Sequence, residues 1–420
     1  MTTRRLRGAG PIGLAACMVL GLAACDVTNP GQVLDKDLNS QAAMRILVNG
    51  MAGDFEVGLR DWGWDNAVLT GDLSGTSAYL SRQRHWAGDP QPEDADDYNS
   101  PYEARWAAEH GIERMKTAMG DAFNSSPLAA EAYVWAGFAN RLLGEGMCQA
   151  VIDGGLAQDR AVYSKRAEDD FSSAIPIAQK AGAAGSNLLL AAYGGRASVR
   201  VILGEWPGAV DDAAKVPTDF VFSAQFSTTS PREINQIWGE NRQRTNLSVK
   251  YTWFEQYYAD YKDPRTPIGK DPHLLLSADG VSPHLIQMKY NDGGADIPLT
   301  KGTEMRLVQA ENAIRGGDWQ GGLAMINALR SAVNVAPWAA TNADEAIDRL
   351  RKERAIVMWL EGRRGGDLLR FGGDPTKDSI LVAMHAAATQ IPLAGRAICS
   401  PFSQTLMLTN ANLQSRAAQP

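Results

Sequence analysis

The 420-residue sequence is poor in cysteine and histidine, and it carries no excess of positive charge. Its five histidines are dispersed and form no His-Glu-x-x-His pattern, which excludes that common zinc-enzyme motif. The formal net charge of −7 argues against a nucleic-acid-binding protein, which needs a basic face. No P-loop or dinucleotide fingerprint is present, and residues 71–75 have the wrong spacing for a Gly-x-Ser-x-Gly elbow. An all-helical glycosidase stays open, since it needs two carboxylates across a sugar rather than a local motif.

The sequence also lacks a convincing membrane-spanning segment. A positively charged start is followed by an apolar run over residues 11–24, which is short for a bilayer span. The run ends in Leu-Ala-Ala-Cys25, which resembles a bacterial lipobox. We therefore predict a lipoprotein signal peptide over residues 1–24, lipidation of Cys25 and a polar tether over residues 25–39. The alternative is an ordinary secretory signal in which Cys25 has no role.

Only two cysteines, Cys148 and Cys399, lie beyond Cys25. An exported protein is in an oxidising compartment, which favours a disulfide between them. Such a bond would tie the C-terminal tail to an early helix. The alternative is a pair of free buried thiols, because the sequence does not show whether the geometry allows a bond.

Helical patterns dominate the rest of the chain and are clearest after residue 304. A helix with a broad apolar stripe is expected from Glu304 to Arg315 and ends at two glycines. Asp318 then caps a second helix, in which apolar residues recur every three or four positions. A third helix is expected from about Thr341 to Gly362. Neither helix of the first pair can bury its stripe alone, which is typical of helical repeats.

A weak internal repeat supports the same interpretation. The turn Gly204-Glu205-Trp206 resembles Gly317-Asp318-Trp319, and each turn opens a new helix. A first helix is predicted from Ser40 to about Gly53, and four further helices are predicted before the first of these turns, over residues 103–119, 127–143, 164–181 and 187–203. The expected fold is mostly α: a tetratricopeptide-like helical scaffold, in one domain over residues 40–420, interrupted by irregular, short-strand insertions near residues 54–101 and 217–300.

The first insertion mixes aromatic and hydrogen-bonding side chains, with no sustained helical stripe. Such a mixture suits a sugar, whose apolar face stacks on an aromatic ring while its hydroxyl groups take polar partners. It also suits a protein interface or a loop that packs into a hollow. We predict four stacking residues and two polar partners for a ligand: Trp62, Trp64, Tyr79 and Trp86, with Arg82 and Arg84.

An acidic run over residues 89–97 follows these aromatics. Several carboxylates could supply oxygen ligands to calcium, but the run lacks the glycine and the alternating spacing of an EF-hand loop. We expect a solvated acidic loop with no bound metal. No cofactor and no catalytic residue are predicted anywhere in the chain.

The most specific pattern in the chain lies between Glu353 and Gly372. It resembles the C-terminal signature of the RagB/SusD family of nutrient-binding outer-membrane lipoproteins. The matching residues are Glu353, Arg354, Glu361, Gly362, Arg364, Asp367, Leu368, Arg370 and Gly372. Val357 departs from the pattern, because the family usually has a second glutamate there. The charged side chains could form a catalytic cluster, but an ion-pair network that fixes the last helix is the expected arrangement.

The resemblance implies a function as well as a fold. Family members are lipid-anchored at the cell surface, where they cap a SusC-like TonB-dependent transporter and deliver nutrients, usually glycans, without breaking a bond. The alternatives are a helical-repeat lipoprotein that binds only proteins, and a glycosidase. Asp26, beside Cys25, is an inner-membrane retention signal in some bacteria, which leaves the final membrane open.

Overall fold

The structure is a computed structural model that describes residues 35–95 and 99–417. Short 3₁₀ segments lead into the first α-helix, and helices then account for most of the described chain. The first eight α-helices are α1 Met44–Thr70, α2 Leu80–Ala87, α3 Asn99–Met119, α4 Pro127–Gly146, α5 Ala161–Lys180, α6 Ser186–Leu203, α7 Trp206–Ala214 and α8 Gln236–Trp238. The others are α9 Trp253–Tyr261, α10 Gly302–Arg315, α11 Trp319–Ser331, α12 Ala343–Val357, α13 Arg364–Arg370, α14 Ser379–Ala387, α15 Gln404–Thr409 and α16 Ala411–Ala417.

The strands are short and pair two by two. They are β1 Ser74–Gly75, β2 Gln149–Ala150, β3 Gln158–Asp159, β4 Val221–Ala224, β5 Leu247–Ser248, β6 Ile268–Gly269, β7 Ile286–Gln287 and β8 Ile297–Lys301. The antiparallel pairs are β1 with β5, β2 with β3, β4 with β8, and β6 with β7. Most of these strands belong to residues 217–301, where we expected an irregular insertion with short strands.

Consecutive helices pack against each other from α3 to α7, and again from α10 to α12. Phe171 of α5 shows how close this packing is. A Cβ atom added at Gly137 of α4 would lie 2.7 Å from its ring, and one added at Gly195 of α6 would lie 2.4 Å from it. The ring therefore fills the space between two neighbouring helices, which only glycine leaves open. The predicted mostly-α helical scaffold is confirmed.

The long helix α1 corrects one sequence expectation. We predicted a helix that ends near Gly53, but α1 continues to Thr70, where Gly71 takes a φ of 84°. Gly50 and Gly53 lie on an open face, since a Cβ atom at either would meet nothing within 4 Å. They therefore leave the helix intact. Its buried face recurs every three or four residues, at Met44, Val48, Met51, Phe55, Leu59 and Trp62.

The predicted disulfide between Cys148 and Cys399 is confirmed, with their Cα atoms 5.0 Å apart. Two backbone hydrogen bonds flank it: the amide of Cys148 donates to the carbonyl of Ser400 at 3.0 Å, and the amide of Ser400 donates to Gly146 at 2.9 Å. The C-terminal segment is therefore fixed to the end of α4, covalently and through its backbone.

The charges of the C-terminal signature form the expected ion-pair network. Arg363 is buried and donates to Glu145 at 2.7 Å and to Glu304 at 3.0 Å. Arg354 and Arg370 each donate to Asp367 at 2.8 Å. Burial alone would raise the pKa of Glu304, but the surrounding guanidinium groups outweigh burial and lower it to about 2. These charges join α4, α10 and α13, so their role is structural.

The predicted signal peptide and Cys25 lie outside the described residues. Within residues 35–95 and 99–417, none of the helices combines the length and the apolar character that crossing a bilayer requires. Residues 35–39, the end of the predicted tether, form a 3₁₀ turn close to α1 and α3.

Candidate functional site

The two regions predicted as insertions meet in a small two-stranded sheet. Strand β1 follows α1 and pairs with β5, so that Ser74 faces Ser248 and Gly75 faces Leu247. The hydroxyl of Ser74 also donates to the carbonyl of Ser248 at 3.0 Å. The sheet therefore brings the loop after α1 against residues 240–250, which are 170 positions away in the sequence.

Gly75 sets the distance between this sheet and α2. A Cβ atom at Gly75 would lie 2.6 Å from the carbonyl oxygen of Arg82 and 3.0 Å from the side chain of Trp86. Any larger residue would push α2 away. The loop between them is held by Ser77, whose hydroxyl donates to Asn246 at 3.0 Å and accepts from the amide of Tyr79 at 3.1 Å.

A pocket of about 640 Å³ opens where these segments meet. We call it the Arg82 pocket. It is lined by seven residues: Ala78, Tyr79, Arg82, Glu240, Arg244, Asn246 and Ala278. Its lining carries two guanidinium groups and one carboxylate, and Tyr79 leaves 63% of its surface exposed at the edge. Its volume is in the range of small-molecule sites, roughly 300–1,000 Å³.

Arg82 is held in place by its ring contacts. Its guanidinium lies 4.1 Å from the centroid of the Trp64 ring and 5.7 Å from that of Tyr79. Its Nη2 is 4.0 Å from a Glu240 oxygen, which is an ion-pair distance but too long for a hydrogen bond. Its buried Nε has no hydrogen-bond partner among the described residues. Its Nη1 donates to the hydroxyl of the neighbouring Ser81 at 3.3 Å. Stacking thus positions the guanidinium, and its remaining Nη hydrogens are left for a ligand.

Glu240 forms the other side of the pocket. It lies in a π-helical turn over Gly239–Gln243 and is 1% exposed. Asn246 donates its amide hydrogen to one Glu240 oxygen at 2.9 Å, and Arg244 forms an ion pair with the other oxygen. Arg244 leaves just over half of its side chain exposed. The pocket therefore combines an exposed ring, two guanidinium groups, a carboxylate and an amide.

The structure brings together part of the predicted ligand site. Tyr79 and Arg82 both line the pocket, and Trp64 lies beneath Arg82. Trp64 is 4% exposed, so it supports the guanidinium and offers no free face to a ligand. Its predicted stacking role is replaced by a positioning role.

The other three predicted residues lie elsewhere. Trp62 is 1% exposed within α1, beside Gly146 of α4, so it cannot stack on a ligand. Trp86 is buried against Tyr251, with their ring centroids 6.1 Å apart. Arg84 points to the acidic run, where it pairs with Asp94 at 2.5 Å and with Glu93 at 3.2 Å. All three side chains are used for packing or surface ion pairs.

The acidic run, over its described residues 89–95, is partly neutralised by Arg84. No group of three or more potential metal ligands occurs within the described ranges, and residues 96–98 are outside them.

Three pocket residues, Glu240, Arg244 and Asn246, were not predicted from the sequence. They lie in an insertion that we recognised only by its irregularity. No spacing rule links them to residues 79–82, because the contact depends on the β1–β5 pairing. A pattern of paired two-residue strands is too short to read from a single sequence.

Comparison with known proteins supports the sequence resemblance. Residues 222–413 match the model of the SusD family. This range includes Glu240, Arg244 and Asn246 of the pocket and the whole C-terminal signature. None of the curated proteins matches the sequence.

Solved structures share the fold at low sequence identity. A SusD/RagB family protein from Bacteroides thetaiotaomicron has a TM-score of 0.65 and 14% identity, covering 89% of this chain and 96% of its own. A second protein from that species, of the SusD superfamily, has a TM-score of 0.64 and 15% identity, covering 89% and 98%. A SusD-like carbohydrate binding protein from Bacteroides vulgatus has a TM-score of 0.58 and 12% identity, covering 79% and 83%.

Proposed function

Because the chain is a SusD/RagB family protein, matched over residues 222–413 in sequence and over most of its length in fold, we propose that it binds a glycan in the Arg82 pocket. The observation that carries this proposal is the pairing of an exposed Tyr79 ring with a pocket-lining guanidinium that has no carboxylate within hydrogen-bond distance. A solved relative described as a SusD-like carbohydrate binding protein supports the ligand class.

The lining residues fit the chemistry of a sugar. The exposed ring of Tyr79 can cover an apolar sugar face, and Arg82 and Arg244 can donate to ring or hydroxyl oxygens. Glu240 can accept from a hydroxyl group while remaining paired with Asn246. The protein therefore holds the sugar by hydrogen bonds and stacking, and releases it unchanged.

Capture without hydrolysis is further supported by the carboxylate content of the pocket. A glycosidase usually places two carboxylates across the scissile bond, separated by roughly 5–9.5 Å. Glu240 is the single carboxylate among the seven lining residues, and two cations and Asn246 surround it. This arrangement favours a binding protein over the alternative of an all-helical glycosidase.

We further propose that the protein is anchored to the outer membrane through lipidated Cys25 and delivers its glycan to a SusC-like TonB-dependent transporter. The hairpin over residues 275–284 contributes Ala278 to the pocket and exposes three apolar side chains, Leu275, Leu276 and Val281. Exposed apolar side chains beside a binding site are typical of a surface that a partner covers. A transporter seated there would receive the ligand directly.

A glycan array with the purified mature protein tests ligand binding, and Tyr79→Ala is the decisive variant. We expect a defined subset of glycans to bind and Tyr79→Ala to weaken binding at least tenfold, about 1.4 kcal/mol, because stacking is lost. Trp106→Ala, which removes a ring that is 51% exposed and lies outside the pocket, is the matched control for binding. An array that stays blank, or equal binding by Tyr79→Ala, would remove the support for this site.

Co-purification from native outer membranes tests the partner. A tagged protein extracted in mild detergent should bring down a large TonB-dependent barrel in a stoichiometric amount. Val281→Asp, which places a charge on the exposed hairpin, should reduce recovery of the barrel without changing glycan binding. Recovery of the protein alone, or from the inner membrane, would favour the alternative of a protein-binding scaffold lipoprotein.

A further inference from the structure

A second pocket lies on the other side of the insertion, between the β4–β8 pair and the end of α11. We call it the Lys289 pocket. Its volume is about 580 Å³, and it shares no lining residue with the Arg82 pocket. Most of its wall is apolar, and Phe220, Pro267, Leu329 and Val357 contribute to it. Val221 and Met288 also line it and are 54% and 42% exposed, which places them at its mouth.

The polar lining residues are Thr218, Asp219, Arg265, Lys289, Lys301, Thr303 and Glu361, and the two lysines meet at Glu361. Lys289 and Lys301 both donate to the same oxygen of Glu361, each at 2.6 Å. Lys289 also donates to the carbonyl of Trp359, and Lys301 donates to that of Val357. Each ammonium therefore gives two of its three hydrogens to described residues. Two ammonium groups thus share one carboxylate, and each lysine keeps one donor. Asp219 and Arg265 also line the pocket, so the lining carries three cations and two carboxylates, and Arg265 is already paired with Asp263 and Glu353.

Burial makes these charges sensitive to a ligand. The Lys289 and Lys301 side chains are only 16% and 14% exposed. Burial lowers the pKa of Lys289 to about 8, although Glu361 attracts its proton. Burial removes part of the water that would otherwise surround the two ammonium groups. An anion bound beside them would take the place of that water and form short, charge-assisted hydrogen bonds at a poorly solvated site.

We propose that the Lys289 pocket binds a small carboxylic acid that has an apolar body. The carboxylate accepts from Lys289 and Lys301 beside Glu361, and the body lies against Pro267, Leu329 and neighbouring apolar side chains. A predominantly apolar pocket with a few converging polar groups is the usual form of a small-molecule site. A sugar suits this pocket less well than the Arg82 pocket, because most of the wall that its hydroxyl groups would face is apolar.

Isothermal titration with three probes of equal chain length tests the proposal on the full mature protein. Octanoate carries the charge and the apolar body, octan-1-ol carries the body alone, and octylammonium carries the opposite charge. We expect octanoate to bind at least tenfold more tightly than octan-1-ol, and octylammonium not to bind. Equal affinity for octanoate and octan-1-ol would overturn the role of the lysines.

Two variants locate the binding without disturbing the buried charges. Met288→Trp and Val221→Trp each fill the mouth from an exposed position, and each should weaken octanoate at least tenfold. Val382→Trp, at a position 41% exposed on α14, is the matched control and should bind as the parent does. Unchanged octanoate binding in both mouth variants, or no binding of octanoate by the parent protein, would overturn the proposal. Glycan binding at the Arg82 pocket is expected to be unaffected in every case.

Discussion

Arg82 and Arg330 make the same kind of contact in two regions of the molecule. Each guanidinium lies about 4 Å from a tryptophan ring centroid, at 4.1 Å for Arg82 on Trp64 and 4.0 Å for Arg330 on Trp338. Arg330 is fully buried and donates to Glu353, to the hydroxyl of Tyr257 and to a backbone carbonyl. Arg82 is partly exposed and has no carboxylate within hydrogen-bond distance.

The residue types are the same, and each arginine has one buried nitrogen without a hydrogen-bond partner among the described residues, Nη2 in Arg330 and Nε in Arg82. The difference lies in the partners of the other donors, because Arg330 donates to a carboxylate and Arg82 does not. Arginine stacked on tryptophan is a structural element when carboxylates and carbonyls use its donors, as at Arg330. The same stack becomes a candidate binding element when donors face a pocket, as at Arg82. Composition alone therefore cannot separate a binding site from a polar core, because the distinction is made by partners that are distant in sequence.

The largest expected effect is in the buried polar cluster formed by Arg330, Glu353, Arg265, Asp263, Tyr257 and Trp338, which we call the closed cluster. Glu353 is fully buried and accepts from Arg265, Arg330 and the indole of Trp338. Glu353→Gln should lower the free energy of unfolding by roughly 3–5 kcal/mol, because it leaves buried guanidinium groups without their counter-charge. Urea unfolding measures this change.

The matched control for that experiment is Glu103→Gln on the exposed face of α3, which should change stability by less than about 0.5 kcal/mol. A loss below about 1 kcal/mol in Glu353→Gln would mean that the cluster tolerates removal of its charge, and the contrast with the Arg82 pocket would fail.

A smaller effect is expected in the Arg82 pocket, and it should change the glycan affinity rather than the free energy of unfolding. Arg82→Met keeps an apolar chain against Trp64 but removes the donors, so glycan affinity should fall at least tenfold, about 1.4 kcal/mol. Stability should change by less than about 1 kcal/mol, since no buried acceptor loses a hydrogen bond. Titration calorimetry and urea unfolding on one preparation measure both quantities.

Arg45→Met serves as the control for Arg82→Met, because Arg45 is 55% exposed and its partner Glu131 lies near the surface. It should change neither binding nor stability appreciably. If Arg82→Met instead unfolds the protein, Arg82 belongs to the same structural class as Arg330.

The smallest expected effect is the contribution of Asp263, in the closed cluster, to the pH dependence of stability. Burial raises the pKa of Asp263, but its hydrogen bonds and ion pair with Arg265 outweigh burial and lower that pKa below 3.8. A lowered folded-state pKa means that its stabilising contribution is present above pH 3.8 and is lost as the pH falls through the folded-state value. Asp263→Asn should therefore lose less stability than the parent between pH 4 and pH 2.

Thermal unfolding at a series of pH values follows this difference. Arg82→Met should keep the acid sensitivity of the parent, since Asp263 is unchanged. An Asp263→Asn profile parallel to that of the parent across the acid range would show that Asp263 takes up its proton equally in the folded and unfolded states.

The sequence predicted the helical scaffold well because its information is local. Apolar spacing identified α10 and α11, and the residues of the C-terminal signature identified the ion-pair network. The predicted end near Gly53 misses the rest of α1, because Gly50 and Gly53 lie on an open face and leave the helix intact. The helical spacing of Phe55, Leu59 and Trp62 was the available signal.

The candidate site was only partly predictable. Tyr79 and Arg82 stand out by residue type and are in fact together. Trp62 is also aromatic, but it lies on the buried face of α1, which a correct helix boundary would have shown. Glu240 and Arg244 reach the pocket through a strand pair of two residues, and no local pattern in a single sequence specifies such a pairing.

The disulfide has a consequence for survival outside the cell. Its two cysteines are 251 positions apart, so the bond closes a covalent ring that contains α5 to α14. A protease that cuts once inside this ring, for example in the exposed hairpin over residues 275–284, leaves two fragments that remain linked. The N-terminal and C-terminal segments would stay in one molecule, and the damage would be visible only on a reducing gel.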